Sequence, residues 1–295
     1  VKNCESPDWL KKQLQAVGLK PISALVDITN FLTIDYNRPL HVFDAGKITG
    51  NLEIFLAKGG ENFKALDEQD YKLSKEMLSI KDNKCLLSVA GVIGGVSSMC
   101  NLDTKNVFLE SAYFDPISIA KTGRLLNVET DARHRFERGV DPESVHSGIE
   151  EATKLILEIC GGEASEITSD GKIPKNKEKI IFDINRLESF AGIKIQEKVV
   201  NNILNKLGFE VARNGKKYKI SIPSWRHDIE NQEDIIEEVV RIYGYDEIPS
   251  NSMYISNQNK INNLCQIREL NIKRSLMQRG LTETVTWSFM SNKNS

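Results

Sequence analysis

Apolar residues recur along this chain with two periods, and the periods divide it into elements. From Pro21 onward, Leu25, Ile28 and Leu32 fall on the inner face of a helix expected around Ser23 to Tyr36, closed by Asn37 and Pro39. The runs Leu52 to Ala57, Leu78 to Ile80 and Leu86 to Val89 are short and strand-like. The turn-forming GGEN and Asp82-Asn83 between them predict a meander. A second helix is expected with Asp141 as its cap and Pro142 at its first position. Val145, Ile149, Ala152, Ile156 and Ile159 would form its buried stripe, and Gly161-Gly162 would stop it. Between these, Glu110 lies in VFLES, apolar enough to be a strand, and His41 follows Pro39 in an extended segment.

Residues 169–179 are polar, lysine-rich and carry Gly171 and Pro174, as a linker would. A second module then begins. Val199, Val200, Ile203, Leu204 and Leu207 repeat at helical spacing within Gln196 to Leu207, with Gly208 behind them. Asn214-Gly215 turns a hairpin between Phe209-Val211 and Tyr218-Ile222. Ile235, Ile236, Val239, Val240 and Tyr243 define the apolar face of a further helix. Helix, hairpin wing and helix predict a winged-helix-like domain, a shape that does not by itself imply nucleic-acid contact. Ser250 to Asn263 is polar and unpatterned, Cys265 to Arg279 reads as a helix, and LTETVTWSFM as the start of a strand. The expected fold class is α+β: a mixed domain at 1–168, a linker at 169–179, the winged-helix-like domain at 180–249, and a linker with the start of another domain at 250–295.

A chain of 295 residues is long enough for two or more domains with real cores. Acidic residues number 41 against 39 basic ones, so the electrostatic footprint of an autonomous nucleic-acid binder is missing. Cys4, Cys85, Cys100, Cys160 and Cys265 are odd in number and contain no CxxC pair, against a disulfide framework or a zinc site. The most apolar run, Leu86 to Val96, is too short to span a membrane. No membrane and a reducing cytoplasm are the expectation. Val1 and the ending at Ser295 just after a strand-like run suggest a piece of a longer polypeptide.

Candidate chemistry centres on two places. Asp234, Glu237 and Glu238 stack opposite the apolar face of their helix, and Asp228 lies in the turn that feeds it. Such oxygens suit Mg2+, yet a solvated acidic face explains the same letters. Glu110 and His41 are each undiagnostic alone. The chain has four histidines, no GxSxG elbow and no local cysteine-nucleophile signature, which argues against covalent catalysis.

Longer strings change the picture. PSWRHDI followed by DIIEEVVRIYGYDEIP resembles the B5 domain of the bacterial phenylalanyl-tRNA synthetase beta subunit. VDITNFL, RPLHVFD, SVAGVIGG, FLESAYFDP and TDARHRFERGVDP resemble the B3/B4 editing region of the same subunit, in the same order. The resemblance implies that Asp228, Asp234, Glu237 and Glu238 bind magnesium. It also places His41, Gly94, Glu110, Thr130 and Ala132 in a pocket that hydrolyses tyrosine wrongly attached to tRNA(Phe). Glu110 would then recognise the tyrosine hydroxyl, and Gly94 and Ala132 would admit the ring through their lack of bulk. His41 and Thr130 would position the ester and the water, with His41 as a weak base rather than a triad member, and backbone amides around Ala90 to Gly95 would stabilise the oxyanion. Lys20 stands in GLKPI where the family commonly has Arg, so a substrate or phosphate contact there loses its bidentate fork. Arg135, Arg138 and Asp141 read as structural ion pairs and a cap. The implied partners are tRNA(Phe) and the alpha subunit of an alpha2-beta2 assembly, with ATP used on the alpha subunit. The alternative is a non-catalytic scaffold and tRNA-positioning module whose editing pocket is inactive.

Overall fold

The two periods read from the sequence settle into two cores within the first 160 residues, one among helices and one among strands. The structure, a computed structural model, describes residues 1–174, 179–215, 217–250 and 262–292. Its order begins α1 (Asp8–Ala16), α2 (Ala24–Asp35), β1 (His41–Asp44), β2 (Glu53–Leu56), β3 (Asn62–Lys64) and β4 (Asp70–Lys72). It continues with β5 (Leu78–Lys81), β6 (Leu86–Val89), β7 (Ile93–Gly94), β8 (Val107–Glu110), α3 (Pro116–Leu126), α4 (Asp131–Phe136) and α5 (Ser144–Cys160). Helix α2 forms where its apolar spacing requires, with Leu25, Ile28 and Leu32 all buried. Asn37 ends it in the left-handed region at φ 51°. The expected meander is the antiparallel sheet β2-β5-β6-β7, and β3-β4 forms a separate hairpin.

The strand pair β1-β8 lies between the two cores. Successive strand residues alternate faces. Val42 accordingly joins the helical core of α1, α2 and α5, while Phe43 joins the strand core with Phe63, Leu87, Val89 and Phe136. Helix α5 begins two residues later than the sequence predicts. Asp141 is engaged in a turn instead: its carboxylate accepts from the Glu143 amide and its carbonyl from the Ser144 amide. The fully buried stripe is Gly148, Ala152, Ile156 and Cys160, rather than one including Val145, Ile149 and Ile159, which are half-buried. Gly148 sets this register. The stem of Arg38 passes 2.5 Å from where a Cβ would stand at that residue, so α5 meets its neighbours along its glycine.

The following module comprises β9 (Ile180–Phe182), α6 (Ile184–Ala191), α7 (Glu197–Lys206), β10 (Glu210–Asn214), β11 (Lys217–Ser221) and α8 (Gln232–Tyr243). Its sheet runs β10-β11-β9, and Phe182, Leu187, Val200, Leu204, Phe209, Ile220, Ile235 and Val239 fill its core. Helices packed on a three-stranded sheet with a hairpin wing fit the winged-helix-like expectation, within an α+β chain.

Residues 1–248 form one compact unit and 249–295 another. In the second, α9 (Leu264–Gln278) is the described element. The strand expected for LTETVTWSFM does not form, and Val285, Trp287 and Phe289 are almost wholly exposed. A strand requires a paired neighbour, and the described residues of this unit supply only a helix. Most of the polar stretch expected at Ser250 to Asn263, and residues 175–178 of the expected first linker, lie outside the described residues.

Candidate functional site

Pairing of β1 with β8 sets His41 opposite Glu110. Opposed residues of an antiparallel pair point to the same face, with Cβ atoms about 5 Å apart. The His41 ring meets Phe43 edge-on, centroids 4.4 Å apart at 80°. Beside it lies Gly94, where an added Cβ would stand 2.5 Å from His41 Cε1 and 3.0 Å from Leu66 Cδ1. Gly94 thus seats the imidazole, and only hydrogen fits there. Thr130 closes the site through the same segment: its hydroxyl donates to the Val92 carbonyl at 2.6 Å and accepts from the Arg133 amide at 3.1 Å, capping α4. Ala132, in the first turn of α4, is half-buried against the strand core.

His41, Glu110 and Gly94 are thus brought together, Thr130 is tied to Val92, and Ala132 follows in the first turn of α4. Lys20 is exposed on the loop between α1 and α2, and makes no hydrogen bond or ion pair with the described residues. Three of the backbone amides expected to stabilise an oxyanion are engaged: those of Ala90, Val92 and Gly95 donate to Leu78, Val89 and Leu87 carbonyls at 3.0, 3.0 and 2.7 Å. Arg135 and Arg138 pair with Asp131 and Glu137, each at 2.9 Å, as the structural reading of those residues expects.

Part of the surface of His41 and Glu110 stays open, but the protein around them withholds water from their charged forms. Burial pushes the Glu110 carboxyl up to about 7 and the His41 imidazole down to about 4. At neutral pH the site joins a neutral imidazole to a carboxyl balanced between its two forms. His41 Nε2 is buried with no hydrogen-bond partner among the described residues.

Sequence reading passed over Arg38, although RPLH contains it. Its side chain is 1% exposed and none of its three nitrogens has a hydrogen-bond partner. Burial pulls its guanidinium down to about 10, opposed by the charge of Asp141, and the Phe136 ring lies 6.0 Å from Cζ. Pattern alone hides it, since arginine at the mouth of a strand ordinarily reads as surface.

The four carboxylates expected to gather at α8 do not form a metal centre. Asp234 Oδ2 accepts from the Glu230 and Asn231 amides at 2.7 and 3.0 Å, and Asn231 completes a capping box. Glu237 is exposed. Glu238 turns inward to 7% exposure and meets Arg226 at 2.8 Å and Arg241 at 2.7 Å. Those arginines, Arg226 first, hold the Glu238 carboxyl below its ordinary range. Arg226 also grips Asp228 with Nε at 2.8 Å and Nη2 at 2.5 Å. Among the described residues no group of three or more His, Cys, Asp or Glu is placed to hold a metal ion. The residues present do not fit a divalent cation, because the helical spacing counted the acids and left out the arginine of WRHD.

Residues 1–161 match the profile of the B3/4 domain, and residues 180–245 match that of the tRNA synthetase B5 domain. The class is thus a B3/4 domain, which holds the first two cores, followed by a B5 domain built on the third. Among similar proteins is the phenylalanine-tRNA ligase beta subunit of Rhodopseudomonas palustris, 47% identical over 294 residues, covering 99% of this chain and 36% of that protein. The beta subunits of Paramagnetospirillum magneticum and Mesorhizobium japonicum are 47% and 44% identical, over 98% and 100% of this chain and 36% and 37% of their own lengths. The chain belongs to the phenylalanyl-tRNA synthetase beta-subunit family and spans little more than a third of the length of these relatives. A solved amino-terminal fragment of the beta subunit from Pyrococcus horikoshii is 16% identical, covering 75% of this chain and 65% of that one with a TM-score of 0.39, too distant to add an argument.

Proposed function

We propose that this chain is the editing and B5 portion of a phenylalanine-tRNA ligase beta subunit, in which the site around His41, Gly94 and Glu110 hydrolyses Tyr-tRNA(Phe). The domain division proposed is editing at 1–168, a linker at 169–179, B5 at 180–249 and the start of a further domain after 250. The alpha subunit and tRNA(Phe) are its partners in an alpha2-beta2 assembly in the cytoplasm, with ATP-dependent attachment of phenylalanine on the alpha subunit. No described helix is long and apolar enough to cross a membrane.

One observation carries this reading: a desolvated carboxyl, Glu110, stands beside a neutral histidine with an unpartnered nitrogen, on backbone bared by Gly94. Phenylalanine and tyrosine differ by one hydroxyl, and an apolar pocket rejects an added hydroxyl by only about a hundredfold, so a second sieve is useful. Glu110 offers the tyrosine hydroxyl a partner that phenylalanine leaves unmet, a difference on the order of 1–3 kcal/mol. With its imidazole neutral throughout the physiological range, His41 acts by orienting the ester end or the water, and is too weak a base to drive proton abstraction. Gly94 in this reading seats His41, and Thr130 holds residues 92–94 through Val92 without contacting the reacting atoms. Magnesium forms no part of it for this chain, since Arg226 and Arg241 already balance Asp228 and Glu238.

The reading is tested with Glu110→Ala in the assembled enzyme. Phenylalanine charging should stay intact while Tyr-tRNA(Phe) accumulates; unchanged tyrosine release removes Glu110 from the mechanism. The engaged hydroxyl of Thr130 and the engaged amides of Ala90, Val92 and Gly95 favour the scaffold alternative, for which charging would proceed with no ester cleavage even in the unaltered protein.

A further inference from the structure

The implied metal and the observed arginine compete for one place. Arg226 reaches from the loop between β11 and α8 and binds three carboxylate oxygens, two of Asp228 and one of Glu238, while Arg241 completes Glu238. Two carboxylates and two guanidiniums make the cluster electrically neutral. The Arg226 side chain is 18% exposed and that of Glu238 9%, so the pair is largely shielded from water and salt. The guanidinium also lies 5.8 Å from the Phe209 ring centroid, where an aromatic face favours a cation.

The loop fixes where that guanidinium enters. Trp225 packs where a Cβ on Gly208 would come within 2.8 Å of its ring. His227 packs against Gly139, whose φ of +96° and 2.6 Å approach to the ring exclude any side chain. Both neighbours of Arg226 thus pack on a glycine, the second on one in the B3/4 domain. A hard divalent ion needs about six oxygens at ~2.1 Å for Mg2+. Here the oxygens of Asp228 and Glu238 face nitrogen donors, Asp234 faces backbone amides, and Glu237 faces solvent.

We propose that Arg226 is the resident cation of this cluster, and that the chain takes no divalent ion between Asp228 and Glu238 until Arg226 is withdrawn. This is independent of the editing reading, which concerns another core.

The test is titration of the 295-residue chain with Mn2+, following free ion by electron paramagnetic resonance, in the unaltered protein and in Glu238→Gln, Arg226→Met, Arg226→Lys and Arg226→Met/Glu238→Gln. The unaltered protein and Glu238→Gln should give the same curve. Arg226→Met should bind Mn2+ at least about tenfold more tightly, and the double variant should lose that gain. Should Arg226→Met fail to fold, Arg226→Lys carries the test: it keeps the charge and loses the fork, and a smaller Glu238-dependent gain is expected. Binding by the unaltered protein that Glu238→Gln abolishes overturns the proposal, as does a folded Arg226→Met or Arg226→Lys that gains nothing.

Discussion

At the scale of single residues, the shifts of His41 and Glu110 have opposite signs and give the site a pH signature. Glu110 has a folded value near 7 against an ordinary 4.5, so its contribution to stability is complete below about 4.5 and is lost as pH rises through about 7. His41 has a folded value near 4 against 6.5, so its contribution is complete above about 6.5 and is lost as pH falls toward about 4. Between those limits the two slopes oppose one another, and above them Glu110 stands alone. Glu110→Gln should therefore match the unaltered protein near pH 4 and exceed it by on the order of 1–3 kcal/mol near pH 8. Urea unfolding at the two pH values checks this; parallel curves would mean that the carboxyl is not desolvated. Gly94→Ala makes a second case. Its Cβ would meet His41 at 2.5 Å, so the variant should lose on the order of 1–3 kcal/mol by overpacking. Adding His41→Ala should restore stability without restoring tyrosine release. A double variant no more stable than Gly94→Ala alone would show that the imidazole does not rest there. Both residues were legible in the sequence because their motifs carry a resemblance. Arg38 was not, because only tertiary packing makes it buried and unpartnered.

Among the elements, α4 and α8 turn expected chemistry into capping. Thr130 caps α4 while holding Val92, so Thr130→Val should cost about 1–2 kcal/mol and Thr130→Ser little, both read by thermal unfolding. A Thr130→Ser protein that folds yet releases no tyrosine would instead give the threonine methyl a place in the pocket. On α8, Asp234→Ala removes a capping box and should lower stability by about 1 kcal/mol equally with and without added Mg2+. A loss present only with Mg2+ would return Asp234 to a metal. The apolar periods place the meander, α2, α7 and α8 closely, since each turns an apolar stripe to one core. They placed the start of α5 early, because Asp141 and Pro142 suit a helix start as well as the turn they make. They missed α4, whose six residues hold three charged side chains and His134 but only two apolar ones, Ala132 and Phe136. The strand expected at LTETVTWSFM had the right composition and no described partner strand.

Over the whole molecule, two matched domains lie in a chain with a net charge of −2, so a general basic field for nucleic acid is missing. Binding of the chain alone to arbitrary duplex DNA should accordingly be negligible at physiological salt; tight, steeply salt-dependent binding would make the winged-helix-like domain a nucleic-acid binder in its own right. Domain order and class were legible because motifs recur in the order the family keeps. The electrostatics of the B5 cluster were not, because Arg226 approaches α8 from outside the helical repeat. The most direct measurement is release of tyrosine from Tyr-tRNA(Phe) by the reconstituted alpha-beta enzyme, set beside release of phenylalanine from Phe-tRNA(Phe), with and without Glu110→Ala. Tyrosine release that exceeds phenylalanine release and collapses in the variant is the expected result. Equal release of both amino acids, or selective release untouched by Glu110→Ala, would contradict an editing site built on that carboxyl.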